Sequence, residues 1–289
     1  HRKEILQQAQ ATFQGVLRDN NFGDLWVDGL TPDSYEYVFA SVQTLNNSLQ
    51  SLNLTEHYYD FIIIDEVHHI AADSYRSILE KFSPKILLGL TATPERMDGA
   101  DILKDFCNVI AAEIRLPEAL NRKLLSPFQY FSISDSVDLS NVSWHNGRYA
   151  PTELTNLYMS NTRRVGEIIT ACENYLLDLE LVRALCFCVT REHAKFMYEH
   201  FSQAGLKSDY LVSGGNSGDR RTIRRRLQAK EINFLFVVDI FNEGVDIPEI
   251  DTVLFLRPTE SLTVFMQQLG RGLRLSDDKE CLTAVSYTH

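Results

Sequence analysis

The feature that most constrains this chain is an alternation met twice along it. Short apolar runs rich in β-branched residues are separated by segments with helical spacing, once before residue 115 and again after residue 160. The clearest run is Phe61-Ile62-Ile63-Ile64, which leads straight into Asp65 and Glu66. Such a run reads as a strand buried in a parallel sheet, because crossover helices cover both faces of a parallel sheet. A helix from about 71 to 82 and the run "KILLGL", ending at Thr91, complete a strand–helix–strand unit with short loops. That pattern predicts the α/β class with mostly parallel sheets.

Before this unit, "RKEILQQAQATFQGVL" is an amphipathic helix with Ile5, Leu6, Ala9 and Phe13 on one stripe, and Tyr37 to Ser41 is a strand. Past residue 160 the pattern resumes. A helix spans 161–179, followed by the strand "VRALCFCV", a helix closed by Gly205, and the strand "SDYLVSG". A basic helix over 219–229, the strands "INFLFVVD" and "IDTVLFL", and a helix over 261–269 follow. The expected organisation is a first domain over 1–115, a spacer over 116–160 and a second domain over 161–289. The spacer holds three prolines and polar turns, with a small hairpin expected at "FQYFSIS".

Composition excludes some classes. No apolar run approaches the ~20 residues that span a bilayer, so no membrane partner is expected. The five cysteines are odd in number and scattered, which fits reduced core thiols in a cytoplasmic protein. Cys186 and Cys188 alternate along one apolar run and are expected not to share a strand face. A net charge of −11 argues against a general polyanion binder. One basic stripe stands out against it: Arg220, Arg221, Arg224, Arg225 and Arg226 recur at helical spacing. It is either a nucleic-acid contact or a solvated helix face.

The chemistry-bearing residues stand at strand ends. In Asp65-Glu66-Val67-His68, Asp65 is suited to hold Mg²⁺ through water, and Glu66 to orient and deprotonate an attacking water. A competing reading makes Asp65, Glu66, His68 and His69 a metal-hydrolase site, but the histidines lack the i, i+4 spacing of a helical zinc motif. Thr91 and Thr93, in "GLTATPERMDG", place hydroxyls at the same sheet edge. In "FNEGVDIPEID", Gly244 permits close backbone approach and Asp246 can accept a ribose hydroxyl. In "QQLGRGLR", Arg271 and Arg274 are expected on one helical face beside Gln267, where planar guanidiniums suit a triphosphate.

Together these pieces resemble the ordered motifs of superfamily-two DEAD/DEAH-type helicases, closest in flavour to type III restriction enzyme helicase subunits. The matching stretches are "HRKEI", "FASVQTL", "DEVHH", "LTATPERMDG", "CFCVTREHA", "FNEGVDIP" and "QQLGRGLR". The resemblance implies two RecA-like domains, ATP and Mg²⁺ between them, and a nucleic-acid strand across their top. It makes Asp65 and Glu66 the Mg²⁺ and water-activating pair, and His68 a coupling residue. Thr91 and Thr93 become the link from hydrolysis to movement, and Asp246 a nucleotide-sugar contact. Arg271 and Arg274 become arginine fingers, with Gln267 beside them. Nucleic-acid contacts fall on His1, Arg2, Gln43, Thr44, Thr190 and Arg191. The implied activity is that of an ATP-dependent helicase or translocase. The partner is DNA, with RNA as the alternative, and a nuclease or restriction-type partner domain lies outside the chain.

The family's G-x-x-x-x-G-K-[S/T] loop is not in this sequence, since no glycine is followed by lysine. The match of "HRKEI" to a motif downstream of that loop leads to the expectation that the chain starts past it by about 25–40 residues. The far end, "CLTAVSYTH", is likewise expected to be a cut strand. Alone, the chain is expected to bind nucleotide weakly. A non-hydrolysing nucleic-acid-binding module is the second reading, although it leaves the acids and the paired arginines without a use.

Overall fold

A computed structural model describes residues 3–67, 73–92, 102–145, 147–211, 217–238, 247–259 and 261–288. The chain divides into two units, residues 1–113 and 114–289.

In the first unit, helix α1 (Lys3–Leu17) lies against a parallel pair, β1 (Asp24–Trp26) and β2 (Val38–Ala40). Side-chain amides tie it down: Gln10 donates to the Gly23 carbonyl at 2.6 Å and Gln14 to the Phe22 carbonyl at 3.2 Å. Ser41 then caps helix α2 (Val42–Ser48), its Oγ accepting from the Thr44 amide at 3.1 Å. Strands β3 (Phe61–Asp65) and β4 (Ile86–Leu90) run parallel, with α3 (Asp73–Lys81) between them in sequence. Strand side chains alternate between faces. Ile64 therefore turns inward and packs with Val67, Tyr75 and Ile102. Phe61, Ile63, Ile86, Leu88 and Leu90 form an exposed apolar row on the opposite face. The run expected to be buried is buried on one side only. Gly89 is required by packing, because a Cβ there would sit 2.8 Å from the Phe106 ring, in the 3₁₀ turn Ile102–Phe106, and 3.1 Å from Val67.

The second unit begins with α4 (Leu116–Asn121) and strand β5 (Phe128–Ser134). A short antiparallel pair, β6 (Trp144–His145) and β7 (Arg148–Tyr149), and helices α5 (Pro151–Met159) and α6 (Thr162–Tyr175) follow. Then come β8 (Ala184–Phe187), α7 (Arg191–Gln203), β9 (Ser208–Leu211), α8 (Ser217–Gln228) and β10 (Phe234–Val237). The last elements are β11 (Thr252–Phe255), α9 (Leu262–Gly270) and β12 (Leu282–Thr288). Six strands form one wholly parallel sheet in the order β5-β12-β11-β8-β10-β9.

Its centre is dry on both sides. Cys186, Phe234, Phe236 and Leu254 meet Ile168, Met197 and Phe201 on one face. Leu185, Phe187, Leu235, Val253 and Phe255 meet Leu227 and Leu269 on the other. At about 1.5–3 kcal/mol per fully buried large apolar side chain, this double core dominates the unit's stability. Cys186 and Cys188 lie in the same core cluster, against the expectation that they would not share a face. Side-chain direction repeats every second residue, so positions two apart point the same way.

Two other expectations change. Residues 116–160 are packed parts of the second unit rather than a spacer. "FQYFSIS" is not a hairpin; it is β5, paired in parallel with β12 along seven positions from Phe128↔Leu282 to Ser134↔Thr288. By the same pairing, β12 is an interior strand of the sheet.

Candidate functional site

In a parallel sheet all C-terminal strand ends share one edge, and ligands of open α/β sheets gather there. Asp65 ends β3 in register with Leu90, so Thr91 follows on the neighbouring strand at that edge. Asp65 is exposed. Glu66 turns the chain at φ 52°, a left-handed conformation uncommon for a residue with a Cβ. Its amide donates to Asp65 Oδ1 at 3.0 Å, and its Oε2 is closed off from solvent. Backbone held in this region concentrates at functional sites. Val67, the next residue, is buried and anchors the turn. His68, His69 and Thr93 lie outside the described residues.

Gln43 and Thr44 occupy the first turn of α2. Gln43 is exposed, while Thr44 is held locally, its Oγ1 accepting from Ser41 Oγ at 2.7 Å. His1 and Arg2 lie outside the described residues.

The second unit separates its candidates between the two ends of the sheet. At the C-terminal end, β8 runs through Cys188 and Val189 to Thr190. Thr190 caps α7 by accepting from the His193 amide at 3.3 Å, and Arg191 is exposed at the first helical position. His193 Nδ1 accepts the Val189 amide at 3.2 Å, so the fully buried ring braces the turn that carries Thr190. Burial, helped by the nearby Arg164 charge, pulls the His193 pKa down to about 3. The ring is therefore neutral at physiological pH and acts as a brace, not an acid or base. Nothing in the sequence pattern singled it out.

At the N-terminal end, α9 ends at Gly270, Arg271 is its C-cap, and Arg274 lies past the helix. The two arginines are thus not on one helical face; the chain turns between them. Gln267 is half-buried, and its neighbour Gln268 is the fully buried one. Gly272 is held to glycine by packing, since a methyl group there would run into buried Leu282 at the start of β12. Gly244 and Asp246 lie outside the described residues, but the chain just after them is placed. Lys279 donates to the carbonyls of Pro248 at 2.9 Å, Ile250 at 3.0 Å and Gly272 at 2.9 Å. This buried ammonium ties the segment following Asp246 to the loop between Arg271 and Arg274. Burial lowers its pKa to about 8, which leaves it charged at neutral pH with all three protons matched to acceptors. Lys279→Met is expected to strand those carbonyls and cost about 2–3 kcal/mol in denaturant unfolding. An unchanged midpoint would show that the clip contributes nothing.

Of the arginine stripe, Arg224 and Arg225 are exposed on α8. Arg226 is paired with Asp209 and, at 3.7 Å, with Glu231. The side chains of Arg220 and Arg221 lie outside the described set. Among the described residues, no three His, Cys, Asp or Glu side chains form a metal-holding group, and no helix is long and apolar enough to cross a membrane.

Known proteins match over nearly the whole chain. The family described as Type III restriction enzyme, res subunit, matches residues 1–96, and Helicase conserved C-terminal domain matches residues 167–276. A Saccharomyces cerevisiae protein assigned as the ATP-dependent helicase IRC3 is 31% identical over 97% of this chain and 41% of its own length. A solved fragment assigned as an HsdR subunit of a type I restriction enzyme from Vibrio vulnificus superposes with a TM-score of 0.72 at 22% identity. That match covers 95% of this chain and 51% of the other. The Mycobacterium smegmatis helicase Lhr, solved with single-stranded DNA and AMP-PNP, superposes with a TM-score of 0.61 at 14% identity, over 99% of this chain and 39% of its own. The chain spans roughly half the length of these relatives, from 39% to 51%.

Proposed function

We propose that this chain, which belongs to the superfamily-two helicases of the type III restriction subunit kind, is the two-unit motor of an enzyme that uses ATP to move along nucleic acid. The observation that carries the proposal is the edge of the β3–β4 pair. There an exposed carboxylate, Asp65, is followed by Glu66 in a left-handed turn, beside Thr91 of the neighbouring strand. A non-hydrolysing module has no use for two acids held this way.

The donor set fits Mg²⁺, a hard cation taken by one or two carboxylates, waters and substrate phosphates. Asp65 would hold it through water, and bound Mg²⁺ would neutralise charge on the triphosphate. Glu66 orients a water and takes its proton. The hydrogen bond from its backbone amide holds the Asp65 carboxylate against the turn. Arg271 and Arg274 stabilise the charge that develops on the transferred phosphoryl group, a role that typically adds about 10³–10⁵ to the rate. Lys279 sets their loop against the segment that follows the proposed ribose contact, Asp246. Gly244 lets the backbone approach the nucleotide, Gln267 supports the arginines, and His68, Thr91 and Thr93 couple hydrolysis to movement. The strand runs over His1, Arg2, Gln43, Thr44, Thr190 and Arg191. We read it as DNA, in keeping with the restriction-enzyme kinship. Five unpaired cysteines support a cytoplasmic setting.

The chain holds no G-x-x-x-x-G-K cradle, so the test joins a phosphate-binding loop ahead of His1. ATP hydrolysis that rises when single-stranded DNA is added is the expected result. Hydrolysis indifferent to any nucleic acid would overturn the proposal.

A further inference from the structure

Residues 97–166 fall outside both family matches. They nevertheless carry an unusual feature. Of the chain's two tryptophans, Trp26 is buried at 4% exposure, while Trp144 is 51% exposed. Trp144 stands on the β6–β7 hairpin, opposite Tyr149, with His145 opposite Arg148. Gly147, at φ 75°, makes the tight turn between the strands. Trp144 meets Tyr149 in a T-shaped contact, with centroids 4.7 Å apart. His145 and Arg148 are exposed beside it, and Arg148 makes no ion pair among the described residues. In a chain of net charge −11, this is a local spot of aromatic and basic chemistry.

The hairpin is mounted rigidly. At its base, the Ser143 amide and hydroxyl donate to the Glu153 carboxylate at 2.7 and 3.0 Å, and the Ala150 amide donates to the Ser143 carbonyl at 2.8 Å. Two positions along α5, Thr155 Oγ1 is 3.0 Å from Thr190 Oγ1. Tyr149 of the hairpin and Val189, the residue before Thr190, pack on one apolar cluster with Leu154 and Tyr158. The base of the hairpin is therefore tied to the Thr190–Arg191 turn through a hydrogen-bonded helix and a shared core.

We infer that the Trp144–Tyr149 hairpin is a second contact for a single nucleic-acid strand, with a base stacked on Trp144 and Arg148 at the adjoining phosphate. This rests on the proposed placement of the strand at Thr190 and Arg191. Stacking on an aromatic face tolerates any base, and a guanidinium beside it supplies the charge. The site thus suits a strand tracked without regard to sequence.

The test titrates the chain with a single-stranded thymidine oligonucleotide of about 15 nucleotides. In a Trp26→Phe background, Trp144 is the sole tryptophan and its fluorescence is expected to be quenched on binding. Trp144→Ala is expected to weaken binding about tenfold, the effect of losing one base stack, with Trp144→Phe recovering part of it. Arg148→Gln is expected to lower the salt slope of binding by about one. Binding with no quenching, and unmoved by Trp144→Ala and Arg148→Gln, would overturn the hairpin contact and leave the proposed function standing. No binding of any single strand by the unaltered chain would overturn both.

Discussion

Glu66→Gln, in a protein that joins this chain to a phosphate-binding loop, is expected to lower ATP turnover by about 10²–10⁴-fold, the usual contribution of a positioned general base. Single-strand affinity should be unchanged. The substitution isolates the chemistry because glutamine keeps the shape. The backbone bond from residue 66 to Asp65 Oδ1 involves only the amide, so the turn at φ 52° survives the change. What disappears is the oxygen that can accept a proton from water. Asp65→Asn should act differently, raising the Mg²⁺ needed for half-maximal turnover before it lowers the maximum. Steady-state turnover, an Mg²⁺ titration and a strand-binding isotherm separate the two. Undiminished turnover in Glu66→Gln would remove Glu66 from the chemistry and with it the main support for the motor reading.

Much of the fold was legible because it is local. Runs such as Phe234–Val237 and Val253–Phe255 are apolar at every position, as strands covered on both faces must be, and they lie where the alternation put them. What escaped was non-local. Strand β5 pairs with β12, more than 150 residues later in the chain, and no spacing within "FQYFSIS" announces that partner. The hairpin at Trp144 hides for the opposite reason: two residues per strand are too few for an alternation to register.

The candidate site was readable as a set of residue types but not as an arrangement. Asp65, Glu66 and Thr91 meet at one edge, as strand-end positions dictate. Arg271 and Arg274 were expected on a helix face, yet the helix stops at Gly270. Past it the Arg271, Gly272 and Leu273 amides donate to the Gln268, Leu269 and Gly270 carbonyls, three-residue turns that carry Arg274 off the helix. His193 and Lys279 act on backbone groups, and a buried brace leaves no periodic mark in a sequence.

Arg164→Ala is expected to cost the second unit about 3–5 kcal/mol, because it strands a buried charge. Arg164 Nε is 2.8 Å from Asp135 Oδ2, and the two side chains are 2% and 1% exposed. Its Nη2 donates to the Leu256 carbonyl at 3.1 Å, and its guanidinium lies 3.8 Å above the Tyr158 ring and 5.6 Å from that of Tyr287. One side chain on α6 thus joins the segment after β5, the end of β11, helix α5 and strand β12. Truncating it leaves the Asp135 carboxylate without its cation in a dry site. In a thermal melt of the chain, the second-unit transition should fall by the order of 10 °C. The pair itself is a different matter, since the desolvation of two charges offsets most of their attraction. Arg164→Met combined with Asp135→Leu should therefore recover most of the loss. It would not restore the guanidinium over Tyr158, which packs in the cluster supporting both the hairpin and Val189. A double variant that is stable but binds single strands more weakly would separate the two roles of Arg164. A single Arg164→Ala variant that melts within about 1 kcal/mol of the parent would show that water reaches Asp135, and that the buried pair is not what holds these elements together.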